Sequence, residues 1–173
     1  MELPESFSPA LIPDLLRRGS PFRFLNRGRS MSPFLRPGDT ITIMPSSPDS
    51  GKVGAGDILL FQSEEGRWLL HRVVRVVSTG RFLTKADAAL RSDGELKPDQ
   101  IRGKAREVER GGSGKIYRLD STRTRRRNSL IALLSRGELK IAGSPLFRPF
   151  LKIPLARRAL RFPKWVLTRL LFG

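Results

Sequence analysis

The stretch GDILLFQSEEGRWLLHRVVRVV, residues 56–77, decides the fold of this chain. Gly56-Asp57 is typical of a turn, and the apolar residues 58–61 that follow it indicate a buried strand. Residues 64–67 (Glu-Glu-Gly-Arg) have the composition of a hairpin tip, and residues 68–77 predict a second, longer strand. The stretch therefore predicts a hairpin of two largely apolar strands.

Short strands are also predicted on both sides of this hairpin. Alternating or β-branched segments of this kind are residues 22–25, 40–44, 81–85 and 102–108. About six strands with no long helix between them predict a mainly β domain, at residues 20–112. A short helix over residues 8–18 is predicted within an N-terminal lead-in, residues 1–19. Glycine-rich residues 111–114 indicate a flexible joint, and residues 113–173 are predicted to form a basic helical extension.

The extension has a helical rather than a strand-like pattern. Asn128 can cap a helix that Gly137 ends, and residues 155–171 give the clearest amphipathic pattern in the chain. On a helical wheel the apolar side holds Leu155, Ala159, Leu160, Val166, Leu167 and Leu170, and the basic side holds Arg157, Arg158, Arg161, Lys164 and Arg169. With Trp165 near the border, this pattern is typical of a helix at an anionic membrane surface. Packing of the apolar side on the β domain is the alternative.

The charge of the 173-residue chain is strongly positive and uneven. The net charge is +17, and residues 115–173 alone hold 15 basic and 2 acidic residues. Such a segment favours contact with polyanions. The basic cluster 123–127 can bind phosphates, but it has no interleaved aromatic residues, so we expect no specific nucleic-acid partner.

Cysteine is absent and His71 is the single histidine. Disulfides, thiolate zinc sites, sites with several histidines and a cysteine nucleophile are thereby excluded. We expect neither a metal nor another cofactor.

The sequence shows neither an export signal nor a membrane span. The first five residues are acidic where a signal peptide would be basic, and no run of about 18 apolar residues occurs. We therefore expect a cytoplasmic protein, with peripheral contact with a membrane through residues 155–171 as an open alternative.

Ser30, His71 and Asp93 are the candidate catalytic residues. A serine hydroxyl is a poor nucleophile until a neighbouring base takes its proton, and a neutral imidazole can do so near pH 7. A carboxylate on the far nitrogen of the ring fixes the tautomer and stabilises the imidazolium that forms. Taken singly, each residue is more often structural, and only the joint pattern favours catalysis.

That joint pattern resembles the superfamily of type I signal peptidases and LexA-like serine peptidases. The segments that carry the resemblance, in order along the chain, are Ser30-Met31-Ser32-Pro33 with Gly38-Asp39, Gly56-Asp57, His71-Arg72-Val73, and Thr84-Lys85-Ala86-Asp87 with Asp93. A histidine at the position of the base resembles the endoplasmic-reticulum and archaeal branch.

The resemblance covers roughly residues 20–108 and implies a fold and a set of roles. It implies a signal-peptidase-like β fold with Ser30 as nucleophile, His71 as general base and Asp93 as the acid that orients it. Asp87 would support the site, Met31 would line the substrate groove, and the Ser30 N–H would stabilise the oxyanion. The implied reaction is cleavage of a precursor or leader peptide after a small residue.

Two other functions remain open at this point. A self-cleaving LexA-like regulator normally has a lysine base and a preceding DNA-binding domain, whereas here the base position holds His71 and only 29 residues precede Ser30. A non-enzymatic module could instead use the fold and the basic tail to bind a membrane or another polyanion.

Overall fold

The structure is a computed structural model that describes residues 11–46, 52–77, 80–147 and 149–172. Within these residues the chain forms eight antiparallel strands in one sheet, followed by a mostly helical C-terminal part. The prediction of a mainly β chain with C-terminal helices is confirmed. Residues 8–10 of the predicted first helix lie outside the described residues, and the remainder forms α1 (Ile12–Arg17).

The strands pair largely as neighbours along the chain. They are β1 (Phe22–Leu25), β2 (Thr40–Pro45), β3 (Ile58–Gln62), β4 (Trp68–Val76), β5 (Phe82–Lys85), β6 (Gly94–Leu96), β7 (Ile101–Glu109) and β8 (Ile116–Arg118). The sheet runs β1-β2-β7-β3-β4-β5-β6, with β8 also paired to β7. The predicted hairpin is β3–β4, in which Leu59 lies opposite His71. Strands β6 and β8 were not predicted, because three residues are too few to show the apolar alternation that marks a strand.

Strand β3 is covered on both faces, which explains its unbroken apolar sequence. Because successive side chains point to opposite faces, Ile58 and Leu60 join one buried cluster and Leu59 and Phe61 join another. The first cluster also contains Ile131 from α2 (Thr122–Gly143). That helix is therefore part of the core that the sheet builds.

The predicted bounds of α2 are wrong at both ends. The helix starts after Ser121, whose Oγ accepts a hydrogen bond from the Thr124 N–H at 3.2 Å, and it continues past Gly137 to Gly143. A serine cap was available seven residues before the predicted cap, Asn128, and burial of Ser135 and Glu138 around Gly137 outweighs the low helix propensity of glycine.

The turn at Gly56 shows how closely α2 approaches the sheet. Gly56 has φ +99°, and a Cβ atom there would lie 2.7 Å from the Asn128 backbone carbonyl carbon. The Ser129 hydroxyl donates to the Ala55 carbonyl at 3.2 Å. Only glycine fits this turn, both for its backbone angle and for the space that α2 leaves.

In the last helix, α3 (Pro154–Phe172), the buried and the exposed side differ from those predicted. Lys164, predicted on the solvated basic side, is only 2% exposed. Leu155 and Leu170, predicted on the apolar side, are exposed by 73% and 79%. Within the described part of the chain, no helix is long and apolar enough to cross a membrane.

Candidate active site

His71 and Asp93 meet at one end of the sheet. His71 lies in β4, and Asp93 directly precedes β6, held by its N–H donating to the Thr84 carbonyl of β5 at 2.9 Å. The His71 Nδ1 and the Asp93 Oδ2 are 2.9 Å apart, and the two side chains are 8% and 21% exposed. A carboxylate at Nδ1 favours the tautomer with its proton there, which leaves Nε2 able to accept one.

The nucleophile candidate, Ser30, lies in an exposed turn after β1. The Asn26 side chain bridges the loop: its Nδ2 donates to the Gly28 and Arg36 carbonyls at 3.1 and 2.9 Å. Among the described residues, neither the hydroxyl nor the N–H of Ser30 has a hydrogen-bond partner. Both groups are therefore available to a ligand in this turn.

Asp39 anchors the far end of the Ser30 loop. Its buried carboxylate accepts from the Arg36 N–H at 2.7 Å, from the Arg110 guanidinium at 2.6 Å and from the Gly111 N–H at 3.3 Å. The Gly38-Asp39 pair of the motif therefore acts through loop structure and does not itself reach the His71–Asp93 pair.

The Ser30 loop is tied directly to the segment that carries Asp93. The Ser30 carbonyl accepts from the Ala88 N–H at 2.8 Å, and the Asp87 N–H lies 3.4 Å from the buried Met31 Sδ. These contacts place the Ser30 backbone beside residues 87 and 88, five residues before Asp93 along the chain. No hydrogen bond joins the Ser30 hydroxyl to His71 in the described structure.

Met31 and Asp87 are both buried, and the contacts of Asp87 are with structural groups rather than with the candidate catalytic residues. Asp87 is buried against the Arg72 guanidinium, with Nε–Oδ1 and Nη2–Oδ2 distances of 3.0 and 2.8 Å. The same guanidinium donates to the Gly56 carbonyl at 3.0 Å and lies 4.6 Å from the Phe34 ring centroid. Asp87 thus joins the turn before β3, strand β4 and the Ser30 loop, rather than the Asp93 carboxylate.

The charge of Arg72 determines the ionisation of Asp87. Burial alone would raise the pKa of Asp87, but Arg72, aided by Lys164 and Lys85, more than offsets it and lowers the pKa below its ordinary value. Asp87 is therefore an ionised structural carboxylate at neutral pH.

Three further charged side chains continue this buried pair into the C-terminal helices. The Glu138 Oε2 on α2 lies 2.8 Å from the Lys85 Nζ of β5 and 2.7 Å from the Lys164 Nζ of α3. Lys164 also donates to the Asp87 carbonyl at 2.6 Å. We call the set Arg72, Lys85, Asp87, Glu138 and Lys164 the buried ion cluster.

Lys164 and Glu138 were missed as site-supporting residues. Burial, reinforced by the nearby charge of Lys85, lowers the pKa of Lys164 to about 8, although Asp87 and Glu138 oppose this shift. One signal could have found the cluster: Glu138 is the single acidic residue in the basic stretch 121–173. If the carboxylate of Glu138 is buried in the helical core, it needs a buried cation as its partner.

Asp93 itself lines a cavity of about 290 Å³, together with Phe61 and Thr84. A second cavity, of about 1000 Å³, is lined by the 88–92 loop, just before Asp93, and by parts of α2 and α3. Another of about 500 Å³ lies between Pro33, three residues after Ser30, and the Phe162 and Trp165 side chains of α3. In the described residues, no group of three or more His, Asp or Glu side chains is placed to hold a metal ion.

Comparison of the chain with protein-family models, with curated proteins and with solved structures gives no match.

Proposed function

We propose that this protein is a serine endopeptidase of the signal-peptidase and LexA-like type, with Ser30, His71 and Asp93 as its catalytic residues. The observation that carries the proposal is the 2.9 Å contact between the His71 Nδ1 and the Asp93 carboxylate. The two residues are 22 positions apart and were selected by motif order alone, so their contact supports the choice of both.

The proposed reaction begins with attack of the Ser30 Oγ on the carbonyl carbon of the scissile peptide bond. The hydroxyl proton passes to the His71 Nε2, and Asp93 stabilises the imidazolium. The Ser30 N–H, which has no acceptor among the described residues, donates to the oxyanion. His71 then gives its proton to the leaving amine, and a water molecule, deprotonated by His71, hydrolyses the acyl-enzyme.

The mechanism requires the Ser30 hydroxyl to come within hydrogen-bond distance of the His71 Nε2 when substrate binds. Catalytic hydrogen bonds are often unmade in the free enzyme and form only in the substrate complex. The link from the Ser30 carbonyl to the Ala88 N–H supports this step, because it fixes the serine backbone at the start of the segment that leads to Asp93, while the side chain stays free.

The proposed substrate is a precursor or leader peptide cleaved after a small residue, as the resemblance implies. The fold that we propose is the signal-peptidase-like β fold. The order of the motif residues and their meeting around β4 and β5 support it.

A non-enzymatic binding module is the second candidate. It is favoured by one observation, the absence of a hydrogen bond from the Ser30 hydroxyl to His71 within the described structure. Under this alternative, the His71–Asp93 contact would contribute only to the local structure of β4.

A proteome-derived peptide library, with new termini identified by mass spectrometry, separates the two candidates. We expect cleavage after small residues, and we expect Ser30→Ala and His71→Ala each to lower it by about 10⁶-fold. Ser32→Ala, two positions along the same loop, is the matched control and should retain activity. Equal cleavage by Ser30→Ala and the unmodified protein would overturn the proposal, as would no cleavage by any form.

A further inference from the structure

The outer face of α3 combines exposed apolar and basic side chains. Phe162 is 58% exposed and Trp165 is 40% exposed, in addition to Leu155 and Leu170. At 100° per residue, these four side chains and the exposed Arg158 and Arg169 fall within an arc of roughly 140°. We call Leu155, Arg158, Phe162, Trp165, Arg169 and Leu170 the outer face of α3.

The opposite side of α3 holds the helix in this orientation. Lys164 reaches Glu138 at 2.7 Å and the Asp87 carbonyl at 2.6 Å, and Thr168, one turn later, is buried. Rotating the helix to bury Phe162 and Trp165 would break these contacts and leave Glu138 with one fewer cation. Phe162 and Trp165 therefore remain exposed, because the buried contacts of Lys164 fix the opposite side of the helix.

The charge around the outer face has one sign. Residues 139–173 contain eight basic residues and no acidic residue. On the face itself, Phe162 and Trp165 stack with ring centroids 6.0 Å apart, and the Arg169 guanidinium lies 5.0 Å from the Trp165 centroid. Aromatic rings beside arginines are typical of a helix at the depth of the lipid headgroups. There the rings enter the boundary of the apolar layer and the guanidiniums contact phosphates.

We propose that the outer face of α3 binds the surface of an anionic lipid bilayer, with the helix lying in the plane of the membrane. Because arginines alternate with apolar side chains across the face, a wholly apolar protein surface would leave those charges without partners. A bilayer surface supplies both an apolar layer and anionic headgroups within a side chain's length.

The orientation would bring the candidate nucleophile to the membrane. Phe162 and Trp165 share the cavity of about 500 Å³ with Pro33 of the Ser30 loop. If the proposed function holds, Ser30 would therefore reach substrate peptides near the lipid surface. Membrane binding itself does not require catalysis, so it is tested on protein carrying Ser30→Ala.

The experiment is vesicle flotation of the full chain. Vesicles of phosphatidylcholine mixed with phosphatidylglycerol should carry the protein, and phosphatidylcholine alone should carry far less. Arg158→Gln with Arg169→Gln should lower the partition coefficient by roughly 30-fold, since each basic residue near anionic lipid contributes about a factor of five. Phe162→Ser with Leu170→Ser should also weaken binding.

Matched controls lie on α2. Arg125→Gln with Arg126→Gln removes the same charge from an exposed site, and Leu130→Ser with Leu133→Ser removes exposed apolar side chains there. Retention of most binding by both controls would support the proposal. Equal loss in controls and outer-face variants, or no binding to anionic vesicles, would overturn it. Peptide cleavage is measured separately, with Ser30 intact, and outer-face variants that keep vesicle binding but lose cleavage in lipid-free solution would also overturn it, since the face would then bind substrate.

Discussion

His71 and Arg72 are adjacent on β4, yet each meets a carboxylate of the 84–93 region in a different setting. Their side chains point to opposite faces of the strand. His71 contacts Asp93, whose side chain is 21% exposed, whereas Arg72 and Asp87 are almost completely enclosed. The two pairs have similar distances, 2.9 and 2.8 Å, so their difference lies in solvent access and in what surrounds them.

The different surroundings of the two pairs suggest different roles. In the His71–Asp93 pair, the ring nitrogen that does not face Asp93 is available for proton transfer. The Arg72–Asp87 pair belongs to the buried ion cluster, which reaches α2 through Glu138 and α3 through Lys164. Under the proposed function, the adjacent residues His71 and Arg72 would have a catalytic and a structural role, and conversion of each partner carboxylate to an amide should separate the two.

The largest effect expected from such a change is on catalysis by Asp93→Asn. The amide can hold His71 in the wrong tautomer and cannot stabilise the imidazolium, so kcat/KM should fall by about 10⁴-fold. The free energy of unfolding should change by about 1 kcal/mol or less, since the pair is partly solvated. Peptide cleavage and urea unfolding measured on the same preparation check both values, and a stability loss as large as that of Asp87→Asn would remove the distinction between the pairs.

Asp87→Asn should act in the opposite way. Loss of the carboxylate leaves Arg72 charged, buried and without its counter-ion, which costs about 3–5 kcal/mol of unfolding free energy. Urea denaturation measures the loss. If the variant is too unstable to isolate, Arg72→Met with Asp87→Leu provides the control, because replacing both partners should destabilise less than Asp87→Asn alone. A double variant no more stable than the single one would contradict the pairing.

A smaller effect concerns pH and Lys164. Its folded-state pKa of about 8 lies below the ordinary value of 10.5, so between these values the unfolded chain holds more protons at this position than the folded one. The contribution of Lys164 to stability should therefore rise with pH from about 8 to 10.5. Over this pH range, the free energy of unfolding of the unmodified protein should rise relative to that of Lys164→Met. A flat difference would show that Lys164 is not desolvated as described.

The sequence predicts the sheet better than it predicts the helices. Residues 40–44 and 58–61 have strand patterns that depend on neighbours along the chain, and the observed strands lie within a residue of them. Helix α3 has an equally clear period, but its orientation is set by Lys164, which pairs with Glu138 26 residues away. Periodicity assigns a lysine to solvent by default, and only a contact between distant residues reverses that assignment.

The same limit applies to the site. Motif order selects His71 and Asp93, and the hairpin β3–β4 with its neighbour β5 explains how they meet. The link from Ser30 to Ala88 depends on how the 26–39 loop folds around Asp39 and Arg110. No local pattern encodes that tertiary contact, or the buried pairing of Asp87 with Arg72, 15 residues away.

The state of the single imidazole gives the most direct test of the proposed site. Because His71 is the only histidine, its ring nitrogens give unambiguous ¹⁵N signals. In mildly alkaline solution, the neutral ring should carry its proton on Nδ1 and leave Nε2 unprotonated, and Asp93→Asn should abolish that preference. A ring protonated on Nε2 in the unmodified protein, or a tautomer unaffected by Asp93→Asn, would contradict the role of His71 as the general base oriented by Asp93.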